Sequence, residues 1–403
     1  SLLVPNLIGS AVESNLNTSI LLTAMLLGLW LFDLIARKRS IGLVPSRTNL
    51  PLLLFLLVAF LAFLNGQINY YVLAQNAPVT SQGAGLMVFV LSAGAFVLVA
   101  NQVKDIIWLK RLTWLFLGLA GFYIFGRLTH DLERVIRPLF QYGSDASLFW
   151  IWLVALCSSQ LLLNKKLEKH WRLALALLLG ASFYVGLVQA YAWKSGWLPA
   201  AIALLVVAWV GFPRFRVPII IVGSLVALFN FTGLDQAVTG GEDYSILTRV
   251  EAWRIVLEIA KVNPVLGLGP SNYYWYTPLF SILGYSGIRF SSHNNYVDIF
   301  AQTGILGLIL FLWFAAEVAW LAWRLKDRVP EGFAKAYVIG VFGGWMATLA
   351  TGMLGDWIIP FVYNVGLVGF RSSVLGWLFI GGLVALEQIY GRPREAKQLE
   401  QEN

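Results

Sequence analysis

Residues 291–323 read SSHNNYVDIFAQTGILGLILFLWFAAEVAWLAW. A polar run holding one histidine passes within a few residues into an apolar stretch long enough to span a bilayer, which takes about 20 apolar residues. The rest of the chain repeats the pattern. Of 403 residues, 58% are hydrophobic and only 12% charged, with a mean hydropathy of +0.72; a soluble domain carries roughly 25% charged residues. So few charges cannot coat a globule of this size, which excludes an ordinary soluble enzyme. Seventeen Trp and fifteen Tyr suit a protein with two membrane–water interfaces. One cysteine (Cys157) and three histidines (His130, His170 and His293) exclude a disulfide framework and any zinc, iron–sulfur or multi-histidine site. No cofactor is expected, and no cleavable signal pattern is visible.

The sequence therefore predicts an all-α polytopic membrane protein. Eleven spans are expected, at residues 18–36, 50–65, 84–102, 109–126, 146–163, 173–192, 197–212, 217–233, 295–323, 334–355 and 361–387. They divide the chain into an N-terminal bundle of about eight helices (1–233), one large and partly helical outer loop (234–294), and C-terminal helices with a cytoplasmic tail (295–403). Twenty of the 29 Lys and Arg fall in alternating connections, from Arg37 to Lys397. Basic loops stay in the cytoplasm, which places the C-terminus inside. The net charge of +8 is mostly this basic cuff and points to anionic lipid heads, not nucleic acid. Nine cations oppose that preference: Arg127, Arg134, Arg137, Lys194, Arg249, Arg254, Lys261, Arg289 and Arg371.

Inside the long loop, Ser245 is expected to cap a helix that ends near Lys261, before Pro264. Glu251, Arg254 and Glu258 share one stripe of it, as a solvated salt-bridge face. Arg249 shares another with Trp253, Val256 and Ala260, which points it toward the protein. The aromatics of NPVLGLGPSNYYWY (263–276) are expected at the membrane surface, with stacking on sugar rings as the second reading. His293 stands at the water boundary one turn before an apolar helix, where a neutral imidazole can take a proton from a hydroxyl. The competing reading makes it a helix cap.

Asp356, at the outer end of the tenth span, is the candidate partner that would orient His293. Asp298 is the rival, but its spacing from His293 turns it about 140° around the helix. Arg371 lies within the eleventh span, where a charge marks either a site or a buried pair. Lys194 stands in the tight outer turn AYAWKSGWLPA (190–200), bracketed by Trp193 and Trp197. Arg127, His130, Arg134 and Arg137 are spaced as one cationic helix face, suited to a lipid headgroup or a diphosphate.

Together these residues resemble the O-antigen ligase and O-antigen polymerase superfamily of bacterial membrane glycosyltransferases. The family pattern H-[NSQ]-x9-G-x-x-[GTY] is matched by His293, Asn294, Gly304 and Gly307. Arg249, Trp253, Pro264, Gly267 and Gly269 follow an upstream family pattern. WKSGW resembles S-R-[GS]-x-W, with Lys194 where an Arg is usual; the charge is kept and the bidentate geometry lost. The resemblance covers about residues 190–310 and implies a GT-C-like fold, commonly of twelve spans, one more than the eleven expected from hydropathy.

It also implies a metal-independent inverting transfer on the periplasmic side of the inner membrane, within lipopolysaccharide biosynthesis. The donor would be a glycan on undecaprenyl diphosphate, and the acceptor lipid A–core or another glycan. Arg249 and Lys194, joined by Arg127 or Arg371, would hold the diphosphate. His293 would be the general base, oriented by Asp356 and flanked by Asn294 at the substrate. The alternative, a transporter or flippase for an anionic solute or lipid-linked sugar, calls for mid-membrane charges in broken helices and for inverted repeats. A structural protein would leave the outward cations unexplained.

Overall fold

The computed structural model describes residues 17–37, 39, 42–140, 143–144, 146–190, 193–218, 220–221 and 243–391, with the side chains of Lys194 and of 243–246 outside that description. Most of the span expected at 217–233 and the start of the loop lie outside the described residues, as do Lys38, Arg392, Arg394 and Lys397. Among the described residues the regular structure is helical, and the one β-contact is an isolated bridge between Ile282 and Tyr285.

The bundle comprises α1 (Thr18–Phe32, continued by a π-turn to Arg37), α2 (Asn49–Asn65), α3 (Val79–Gln102), α4 (Ile106–Gly126), α6 (Ser147–Leu163), α7 (Lys169–Tyr184, continued by a π-turn to Gln189) and α8 (Lys194–Gly211). A surface helix, α5 (His130–Phe140), interrupts the series, and α9 (Asp243–Ala260) belongs to the long loop. The C-terminal helices are α10 (Asn295–Leu325), α11 (Phe333–Thr351) and α12 (Phe370–Tyr390). Seven of these helices, with their continuations, are long and apolar enough to cross a membrane, and α2, α6 and α8 are apolar but shorter. Helices suit this sequence because each satisfies its own backbone polar groups where lipid offers no partner.

The bundle centre is aromatic. Trp150 and Trp152 of α6 and Trp345 of α11 are wholly buried, and Phe314 of α10 stacks on Trp377 of α12 at 5.6 Å. At one end, ion pairs tie the helices together: Arg47 to Glu317 at 3.0 Å and Arg324 to Glu387 at 3.3 Å.

The opposite end is organised around a break. Gly304 interrupts α10 at φ +68°, a conformation open chiefly to glycine. The backbone groups freed there are taken up by the loop after α9: Leu268 N–H donates to Ala301 O at 2.9 Å, Gly269 N–H to Gln302 O at 3.0 Å, and Ile305 N–H to Pro264 O at 2.8 Å. Residues 264–269 are spliced into the gap. A Cβ on Gly304 would sit 2.1 Å from the Val265 carbonyl oxygen, and one on Gly267 would sit 2.5 Å from Gly304 N. The expected continuous span at 295–323 is therefore a broken helix, and periodicity cannot reveal a turn whose partner lies about 35 residues upstream.

The loop has its own core. Val256, Ile259, Leu268, Tyr273, Tyr276 and Ala301 are fully buried together, and Tyr273 stacks on Phe361 at 4.8 Å. Tyr273 and Tyr276 thus pack inward instead of lying on a membrane surface, because burying their rings removes large apolar areas from water. Three further expectations change. Ser245 falls within the first turn of α9 instead of capping it. α4 stops at Gly126 and α5 begins at His130, so Arg127 is not on one helical face with Arg134 and Arg137. The spans at 334–355 and 361–387 are trimmed by an irregular connection over 352–366, where Pro360 and Gly366 (φ +70°) force turns in an otherwise apolar run.

Candidate functional site

His293 sits at the mouth of α10 with φ +51°, a left-handed conformation uncommon for a residue with a side chain. Its neighbours over-determine that turn. The Ser292 carbonyl accepts from Trp253 Nε1 at 2.7 Å, and Ser292 Oγ donates to Asp298 Oδ1 at 2.7 Å. Tyr273 Oη donates to the same oxygen at 2.5 Å. On the other side, Asn294 Oδ1 accepts from Tyr296 and Val297 N–H, so the cap of α10 is Asn294 and not His293. Asn295 is clamped to the 352–366 connection: its amide donates to Ile359 O at 2.8 Å and accepts from Ile358 N–H at 2.7 Å. Backbone strain held by so many contacts is a mark of functional sites.

One side chain touches the imidazole, and others act on it through charge or through its backbone. Arg249, on the inward stripe of α9, is half-buried, and its Nη1 donates to Leu354 O at 3.4 Å. The other loop cations are engaged elsewhere: Arg254 with Glu251 at 2.7 Å, Lys261 with Glu258 at 2.5 Å, and Arg289 over the Trp275 ring at 3.7 Å. Among the described residues no acid pairs with Arg249. Asp356 is fully buried, and its Oδ2 accepts from Phe361 N–H at 2.8 Å. Asn364 joins the two sides: its Nδ2 lies 3.0 Å from His293 Nδ1 and donates to Asp356 Oδ1. Asp298 faces Tyr273 and Ser292, so it supports the backbone of His293 and not its ring.

The electrostatics follow from burial and charge. Protein packed around His293 lowers its pKa below the usual imidazole value, and the Arg249 cation lowers it further, although the residue keeps an exposed surface. Burial also pulls the Arg249 guanidinium down from its usual value. The Asp356 carboxyl is pushed up to about 6 by burial, against the donors from Phe361, Asn364 and Val365 that lower it. Burial, then the nearby Asp298, holds the Tyr273 phenol well above its ordinary range, so it remains a donor. At neutral pH the arrangement offers an uncharged imidazole beside a fixed cation.

The other candidates group elsewhere. Arg127, Arg137, Ser144, Gln189 and Trp193 line a cavity of about 750 Å3, with Arg127 paired to Glu133 at 3.4 Å. Lys194 follows Trp193 directly at the first position of α8, so the cavity and that lysine are neighbours along the chain. Arg371, the second residue of α12, is 1% exposed and lies within the bundle. Among the described residues no three His, Cys, Asp or Glu side chains gather as a metal-binding group. Asn364 escaped the sequence reading because it sits in the apolar run FVYNVGLVG, which hydropathy assigns to a span; one polar residue two positions before Gly366 was the available signal.

Taken together, the apolar helical bundle, the loop spliced into a broken helix and the imidazole–cation centre define an integral membrane protein with a polar site at one end of its bundle. Residues 170–312 match the O-antigen ligase family. The matched segment runs from α7 to the first half of α10 and contains Lys194, Arg249, His293, Asn294, Gly304 and Gly307, which supports the resemblance to the O-antigen ligase and polymerase superfamily. Arg127, Asp356, Asn364 and Arg371 lie outside it. No curated protein matches the chain.

Proposed function

We propose that the protein transfers a glycan from undecaprenyl diphosphate to an acceptor hydroxyl at the periplasmic face of the bacterial inner membrane, without a metal and with inversion. The observation that carries the reading is a neutral, backbone-strained His293 under the charge of Arg249. The acceptor oxygen bonds to the anomeric carbon as the bond from that carbon to the phosphate oxygen breaks on the opposite side. The hydroxyl proton passes to His293, and undecaprenyl diphosphate departs. Arg249 stabilises the charge that develops on the leaving group, as preorganised cations do. The cavity around Arg127 and Trp193, with Lys194 beside it, supports a second contact with the diphosphate or its glycan. Asn294 holds the turn that presents the histidine by capping α10, and Arg371, buried in the first turn of α12, is not placed to touch the substrate directly.

Purified protein, given undecaprenyl-diphosphate-linked glycan and candidate acceptors such as lipid A–core, tests this. His293→Ala and Arg249→Ala are each expected to lose about 100-fold or more in transfer rate. Unchanged transfer in His293→Ala would remove the general-base role. No transfer to any acceptor, together with solute uptake into liposomes, would favour a transporter.

A further inference from the structure

The transfer reading asks His293 for a lone pair, but the geometry shows that one ring nitrogen is already engaged. Asn364 Nδ2 is 3.0 Å from His293 Nδ1 and also donates to Asp356 Oδ1. An amide nitrogen has two hydrogens and no lone pair to offer, whereas a carboxylate only accepts. Turning the amide over would set its oxygen against the Asp356 carboxylate, which already receives the N–H of Phe361 at 2.8 Å and of Val365 at 3.5 Å. Asp356 therefore fixes which end of the amide faces the pair. The second Nδ2 hydrogen then points to Nδ1, which can receive it only while the ring proton resides on Nε2.

We propose that Asn364 is a positioning residue that sets the tautomer of His293, engaging Nδ1 and leaving Nε2 with the hydrogen. The direct carboxylate–imidazole contact expected between Asp356 and His293 is replaced by a relay whose middle member has the opposite effect. A carboxylate at Nδ1 would draw the proton there and free Nε2; the amide hydrogen does the reverse. A protonated ring cannot accept from Asn364 at all, so the contact favours the neutral form, in line with the lowered pKa from burial and Arg249. The catalytic meaning rests on the transferase reading. In this state His293 meets the substrate as a donor through Nε2–H. It becomes a base there only when the amide turns over: Asn364 Oδ1 then accepts from Nδ1–H, one proton having left Nε2 to water and one having reached Nδ1 from water, with the ring neutral before and after. Asp356 resists that turn, so the substrate must supply the contacts that drive it.

Nitrogen NMR of 15N-histidine-labelled protein in nanodiscs, with His130→Gln and His170→Gln to isolate one ring, reads this without any substrate. At pH 7.5 the wild-type His293 is expected to be neutral, with Nδ1 unprotonated and hydrogen-bonded. In Asn364→Ala the proton should spread over both nitrogens, and the His293 pKa should rise by roughly half to one pH unit, the value of one hydrogen bond to the neutral form. Asp356→Asn keeps the amide but frees it to turn, so it should also give mixed tautomers; it carries the test if Asn364→Ala does not fold. An Nδ1-protonated wild-type ring, or an Asn364→Ala protein that loses thermal stability while His293 keeps its spectrum and pKa, would overturn the proposal. The expected spectra in a protein that transfers no glycan would overturn the transferase reading alone.

Discussion

His293 combines a left-handed backbone, an amide on Nδ1 and the influence of a guanidinium whose charge opposes its protonation. The direction of the pKa shift gives a signed expectation. The ring is active when neutral, and its pKa lies below the ordinary 6.5, so kcat/KM should hold as pH falls through 6.5 and fail only below it. Arg249→Gln removes the charge that disfavours imidazolium, so the acid limb of the profile should move upward as the rate drops. A limb at or above 6.5 in the wild type would contradict the assignment. Arg249→Lys keeps the charge but loses the planar fork, and is expected to cost about tenfold or more in kcat/KM. At this scale the sequence was informative where helical geometry applied: stripes on α9 separated the inward Arg249 from the outward Arg254, and Arg254 does pair with Glu251. It was silent on Asn364, whose partner is 71 residues away and whose surroundings look like a span.

The elements were legible as apolar runs and illegible where they stop. Hydropathy located α1 to α4, α6 to α8 and α10 to α12 because a span needs continuous apolarity. It missed the break at Gly304 and the turns over 352–366 because both occur inside apolar sequence and are stabilised by distant segments. The break makes a strong prediction. Gly304→Ala must hold a side chain at φ +68° and collide with the Val265 carbonyl, so a loss of roughly 2–4 kcal/mol is expected, read as a lowered Tm in nanodiscs. Gly118→Ala in α4, where a Cβ meets nothing within 4 Å, is the control and should leave Tm unchanged or raise it slightly. Equal effects at the two sites would mean that the splice between loop and helix contributes little.

At the scale of the whole molecule, alternating helices bring the basic connections to one end, where Arg47, Arg324 and Lys335 are ion-paired, and bring His293 to the other. Basic loops favour the cytoplasm, which gives an expected orientation. In a Cys157→Ala background, Ser286→Cys should react with a membrane-impermeant maleimide in intact spheroplasts, and Asp327→Cys only after lysis. Both positions are exposed and lie at opposite ends of the bundle. The reverse pattern would turn the protein over and remove the periplasmic assignment of the site.

The seam between residues 264–269 and α10 also constrains how such a protein can diversify. The loop donates to, and accepts from, the backbone of a helix that follows it in the chain, so neither half is complete by itself. A chimaera that imports residues 243–290 from a relative would have to import the first turns of α10 with them. Otherwise the Ala301 and Gln302 carbonyls and the Ile305 N–H would be left without partners at the membrane boundary. Loop and helix would have to be exchanged as one cassette, with the surrounding bundle left unchanged.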